Sequence, residues 1–190
     1  MTRRFFRLAI DVYVKGRWYL GEPTTLDGAE LEDVWVFGYG HPMEFNERLR
    51  ISLDRPGRPL DFDTAGVGQA PVVNARVADV FRALAPHDVQ LFPAEVEGQA
   101  EPYWLMNVVR TVRCIDDKAS AEVQFYTPED GRPDRVGEYR SVIGLRIDTS
   151  KVGDARVFRL WGWHPPIIVD EEIKSALERV GIVGGEFDPV

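Results

Sequence analysis

The stretch from Val157 to Gly181 constrains the fold most, because a strand signal there passes directly into a capped amphipathic helix. Val157, Phe158 and Leu160 lie in a β-rich run, and the short apolar run Ile167-Ile168-Val169 follows. Asp170 then stands where an N-cap belongs, its carboxylate able to accept hydrogen bonds from the free N–H groups of the first turn. Glu171 and Glu172 add negative charge at the positive end of the helix dipole. Ile173, Ala176, Leu177 and Val180 recur at helical spacing and form one apolar stripe, and Gly181 is placed to end the helix. A helix with a single apolar stripe has to bury it against another layer, and the strands before it supply one.

A second helix is equally well punctuated. Asn74 can cap it, Val77, Val80, Phe81 and Leu84 follow at i, i+3, i+4 and i+7, and Pro86 stops it. The remaining signals are β. Strands are predicted over 6–14, 17–20, 35–39, 49–53, 88–92, 95–97, 103–113 and 138–148, with Pro93 dividing the fifth from the sixth. Tyr103 to Arg113 is the longest apolar run, and its β-branched content favours a central strand over a helix. Many strands with two amphipathic helices predict an α+β fold with mostly antiparallel sheet. Residues 1–190 suit one domain. The weakest join, Asp54 to Gln69 around Pro56-Gly57-Arg58-Pro59, allows a subdivision into a β lobe (1–55) and an α+β lobe (70–190) sharing a core.

The chain carries 31 acids against 23 bases, a formal net charge of −8. That balance argues against nucleic acid as a partner, since phosphates are held by basic faces. It suits a partner whose own working surface is basic. Cys114 is the only cysteine, so no intrachain disulfide can form. Thr2-Arg3-Arg4-Phe5-Phe6 superficially resembles a twin-arginine export signal, but Asp11 and Lys15 interrupt what would be its apolar region. No run approaches the length of a membrane span. The expectation is a cytoplasmic protein without a membrane partner.

Chemistry is sparse. His41 lies near Glu44, in a loop marked by Pro42 and flanking glycines, without the third group that metal ligation or acid–base work would use. His164 sits in Trp161-Gly-Trp-His-Pro-Pro166 and reads as a turn residue, and His87 follows the helix-stopping Pro86. Cys114 ends an apolar run and reads as a buried hydrophobe. Asp116-Asp117 is too small a set for a cation site. Gly66-Val-Gly68 and Gly181-Ile-Val-Gly184-Gly185 lack the spacing of a phosphate cradle. No catalytic, cofactor-binding or metal-binding residue is expected. The features that suit binding are the acidic loop Glu22, Asp27, Glu30, Glu32 and Asp33, with Trp161 and Trp163 as aromatic candidates among five tryptophans.

Short pieces spread in order over nearly the whole chain carry a resemblance to a known family. The pieces that carry the resemblance begin with Phe6-Arg-Leu, Gly16-Arg-Trp-Tyr-Leu-Gly-Glu-Pro23 and Pro56-Gly-Arg-Pro-Leu-Asp-Phe62. They continue with Pro71-Val-Val, Asp88-Val-Gln-Leu, Asn107-Val108, Cys114-Ile-Asp116 and Leu145-Arg-Ile-Asp148. Val157-Phe-Arg-Leu160, Ile168-Val169 and Glu172-Ile-Lys174 with Ala176-Leu177 complete them. With these pieces the chain resembles the immunity proteins of bacterial polymorphic-toxin systems, in the myxobacterial-type branch often encoded beside AHH-type nuclease toxins. The resemblance implies a cytoplasmic protein that binds and neutralises a cognate toxin, a nuclease, by stoichiometric protein–protein inhibition in competition between bacteria. It implies no catalytic residue and fixes no contact position. The alternative is a small enzyme or ligand-binding domain working through a pocket near His41 or His164.

Overall fold

The computed structural model describes residues 3–190, so Thr2 of the arginine-pair segment lies outside the described residues. The chain opens with β1 (Phe5–Ile10), then β2 (Tyr19–Thr25), β3 (Leu49–Arg55), β4 (Phe62–Ala65), β5 (Ala70–Asn74), α1 (Ala75–Leu84), β6 (Val89–Val96) and β7 (Tyr103–Val108). After these come β8 (Thr111–Val112), β9 (Glu122–Phe125), β10 (Tyr139–Ile143), β11 (Val157–Leu160), β12 (Trp163–Asp170), α2 (Glu171–Arg179) and β13 (Gly185–Pro189). Strands β2-β3-β6-β7-β5-β4 form a closed barrel, shut by the parallel pairing of Leu20 with Ala65. Strands β13-β1-β12-β11-β8 form a five-stranded sheet, and β9 with β10 a separate hairpin. Most pairings are antiparallel, β2–β4, β3–β6 and β8–β11 being parallel. The fold is α+β, and mostly β.

Both helices form where the local signals place them. Asn74 accepts a bond from the Val77 N–H at 3.2 Å, and Asp170 accepts from Glu172 and Ile173 at 3.1 and 2.9 Å. Gly181, at φ +68°, closes α2 with Schellman bonds from Gly181 to Glu178 and from Ile182 to Leu177. The stripes of both helices pack into one layer between the barrel wall and the sheet, with Val77, Phe81, Ile173 and Leu177 fully buried beside Leu8, Val73, Met106 and Val169. Each such side chain contributes roughly 1.5–3 kcal/mol on leaving water.

Strand alternation distributes the rest. Phe5, Phe158 and Ile168 point to the other face of the sheet, where they meet Cys114 and Tyr139. Trp18, Leu20, Leu49, Ile51 and Leu105 fill the barrel. Also inside it, Asp63 accepts from Arg17 Nη2 at 2.5 Å and from Trp18 Nε1 at 2.9 Å, so a buried charge is both paired and hydrogen-bonded. Among the described residues no helix is long and apolar enough to cross a membrane.

Several local expectations are revised by long-range pairing. Trp35 to Tyr39 is not a strand: it wraps a 3-10 turn at Val36–Gly38, because Phe37 turns inward to plug the barrel. Pro93 does not divide β6. Strand β3 joins β6 only from Ala94, so Pro93 occupies an edge position, where a missing N–H is tolerated. The 103–113 run splits instead at Val109, where the chain leaves the barrel and β8 enters the sheet beside β11. Residues 54–69 contain β4, a barrel strand, and β1 lies in the sheet with β12 and β13.

Candidate functional site

The chain from Trp18 to Asn46 contains no lysine or arginine, while it contains Glu22, Asp27, Glu30, Glu32, Asp33 and Glu44. None of these acids enters an ion pair among the described residues, although sixteen such pairs stand elsewhere. The structure separates them by role. Glu22 lies in β2, half-buried, and accepts from the Val67 N–H, bracing the turn between β4 and β5. Asp27 is exposed and accepts from the Thr25 hydroxyl, which, with its own backbone N–H, holds its carboxyl below the usual carboxylate range. Asp33 accepts from the Trp35 N–H at 2.9 Å and from the Tyr39 hydroxyl at 2.7 Å, and that bond raises the Tyr39 phenol. Glu30 and Glu32 are exposed, and their carboxylates have no hydrogen-bond partner among the described residues.

The segment that follows is held rigidly from beneath. Phe37 is 0% exposed and meets Phe92 edge-on, ring centroids 6.1 Å apart. Arg159, also buried, donates from Nη2 to the Phe37 carbonyl at 3.1 Å and from Nη1 to the carbonyls of His164 and Pro165. Among the described residues no carboxylate pairs with Arg159, and desolvation lowers its pKa to about 10. Thr111 donates to the Gly40 carbonyl at 2.8 Å, Asn107 to the His41 carbonyl at 3.0 Å, and the Gln90 amide bonds both the N–H and the carbonyl of Met43 at 3.0 Å. Gly40, at φ +76°, is required here: a Cβ would stand 2.3 Å from the Thr111 hydroxyl. The result is a fixed platform with Phe37 inward and Trp35 and Tyr39 outward.

Trp161 and Trp163 have other neighbours. Arg113 lies over the Trp161 ring, 4.1 Å from its centroid, and Trp163 packs half-buried against the core beneath the sheet. Trp18 is fully buried, whereas Trp35 is 53% exposed. Trp35, Tyr39 and the exposed Val67 are the surface residues that sequence reasoning missed. The base-free run around them was a legible signal. Which indole faces water was not.

The places weighed for chemistry are otherwise occupied. His41 Nδ1 lies 3.1 Å from the Pro42 carbonyl, and its ring stacks on Tyr39. Burial lowers the His164 imidazole, against the opposing pull of Glu138. Cys114 is fully buried, and burial pushes its thiol up to about 12. Asp116 caps the Lys118 and Ala119 N–H groups, and Asp117 accepts from the Tyr139 hydroxyl at 2.6 Å. Among the described residues no three His, Cys, Asp or Glu side chains converge as a metal set would. An open groove of about 720 Å³ runs past Arg48, Arg50, Glu95, Glu97 and Tyr103, and neither His41 nor His164 lines it. What the arrangement offers is an acidic surface with exposed aromatics on a stiff support.

No curated protein matches the chain. The model of the Immunity protein family (Imm11) matches residues 9–190, spanning the barrel, both helices and most of the sheet. The chain belongs to the Imm11 family of immunity proteins.

Proposed function

We propose that this immunity protein binds a cognate nuclease toxin in the cytoplasm and silences it stoichiometrically, protecting the producing cell and its kin. The observation that carries the nuclease reading is the base-free acidic surface of residues 22–44. A nuclease grips phosphates with a basic groove, and an acidic protein face is the natural competitor for that groove. Opposite fields also speed the encounter, which matters for an inhibitor that has to reach the toxin before the genome does. Asp27, Glu30, Glu32 and Asp33 supply the charge, and Glu22 contributes by holding the neighbouring turn. Protection calls for nanomolar binding or tighter, about −12 kcal/mol, over an interface on the order of 1,600 Å².

Co-expression in a sensitive host with the toxin encoded beside this gene tests the reading. The expected result is survival with intact chromosomal DNA. Continued killing while the co-expressed chain stays soluble would contradict it, and survival from a toxin that leaves nucleic acid intact would remove the nuclease.

A further inference from the structure

Charge accelerates encounter, but residence depends on buried anchors, and in protein interfaces these are most often tryptophan, tyrosine and arginine. The acidic run carries exposed side chains of this kind. Trp35 is 53% exposed, Tyr39 40% and Val67 65%. Trp35 and Tyr39 flank the same 3-10 turn. The turn bearing Val67 presses on the backbone beside them: a Cβ on Gly68 would fall 1.8 Å from the Val34 carbonyl and 3.4 Å from the Trp35 nitrogen. Three exposed side chains with apolar surface therefore stand on neighbouring turns of backbone, and the exposed Glu30 and Glu32 come just before Trp35 in the chain.

We propose that Trp35, supported by Tyr39 and Val67, is the anchor that enters an apolar cleft in the cationic surface of the toxin, while Glu30 and Glu32 pair with the lysines and arginines around that cleft. The proposal rests on the reading above and deepens it. The support is already rigid, since Asp33 fixes the Trp35 backbone and Arg159, Thr111, Asn107 and Gln90 hold the carbonyls that follow. An anchor presented this way loses little freedom on binding. Charge selects the occupant. A second copy of the chain, docked about a two-fold axis, would set these acids against themselves. A nucleic acid or an anionic membrane carries the same sign as the patch. A basic protein completes it.

The test measures binding kinetics of the full chain to the toxin encoded beside its gene, for the wild type and for Trp35→Ala, Val67→Lys and the pair Glu30→Lys with Glu32→Lys. Trp35→Ala is expected to weaken binding about 30-fold, the factor equivalent to roughly 2 kcal/mol, through faster dissociation. Val67→Lys, at a more exposed position, should also speed dissociation, and it carries the test should Trp35→Ala melt early. The paired lysine variant should slow association and flatten its salt dependence. Tight wild-type binding that neither Trp35→Ala nor Val67→Lys weakens would overturn the anchor and leave the immunity reading standing. Absence of wild-type binding would overturn both. A dimer of the free chain that Trp35→Ala dissolves would assign the patch to a second copy and overturn the proposal.

Discussion

Cys114 has no exposed surface, and burial raises its thiol to about 12, with Asp148 acting in the same direction. The thiolate is the reactive form, so the folded protein should resist a disulfide reagent at pH 8 and react fully once unfolded in urea. Rapid labelling of the native chain would contradict the burial. Asp63 makes the opposite point about buried polarity. Its partners Arg17 and Trp18 are themselves buried, so Asp63→Asn leaves the guanidinium buried without a counter-charge. The expected loss in urea unfolding is about 3–5 kcal/mol. His164 carries a pH signature. Its folded pKa lies below the ordinary imidazole value of about 6.5, so the unfolded chain takes up this proton more readily. Stability from this group is intact above that value and falls as the pH drops through it. His164→Gln should therefore lose less stability than the wild type between pH 7 and 5, and parallel pH profiles would contradict the assignment.

Each element draws on signals of a different range, and this decides what could be read from the residues. Both helices were legible because cap, stripe and stop are local. Asp170 does more than its sequence position implied: besides capping α2 it pairs with Arg3 at 3.1 Å and Arg156 at 2.9 Å while almost fully buried. Asp170→Ala should thus exceed the roughly 1 kcal/mol of an ordinary cap loss and reach at least about 2 kcal/mol in chemical denaturation. Strands β4 and β5 were not legible. Phe62-Asp-Thr-Ala and Ala70-Pro-Val-Val-Asn are short, and Asp63 and Pro71 disguise them, so only the barrel neighbours make them strands. The run at 103–113 read as one strand because its residues look alike, yet its halves find partners in different sheets. The same holds at the site: the acidic run was visible, whereas the outward indole of Trp35 and the buried one of Trp18 sit in similar aromatic contexts. The platform itself depends on Arg159, and Arg159→Met should raise amide hydrogen exchange across residues 36–43 without melting the sheet.

At the scale of the whole molecule, the net charge is −8, and the six acids between Trp18 and Asn46, which no base offsets, supply most of it. The barrel, the helix layer and the sheet form a scaffold in which Cys114 is buried in the core and the His41 ring lies against the Pro42 carbonyl. The proposed function has such a molecule act by covering its partner. The electrostatic part of that claim predicts an association rate that falls at least about tenfold from low salt to half-molar salt. The most direct test is to titrate the purified toxin with the purified chain while DNA cleavage is followed. The account predicts a linear fall in cleavage that reaches zero at equimolar chain. Full cleavage in the presence of a several-fold excess of folded chain would contradict it.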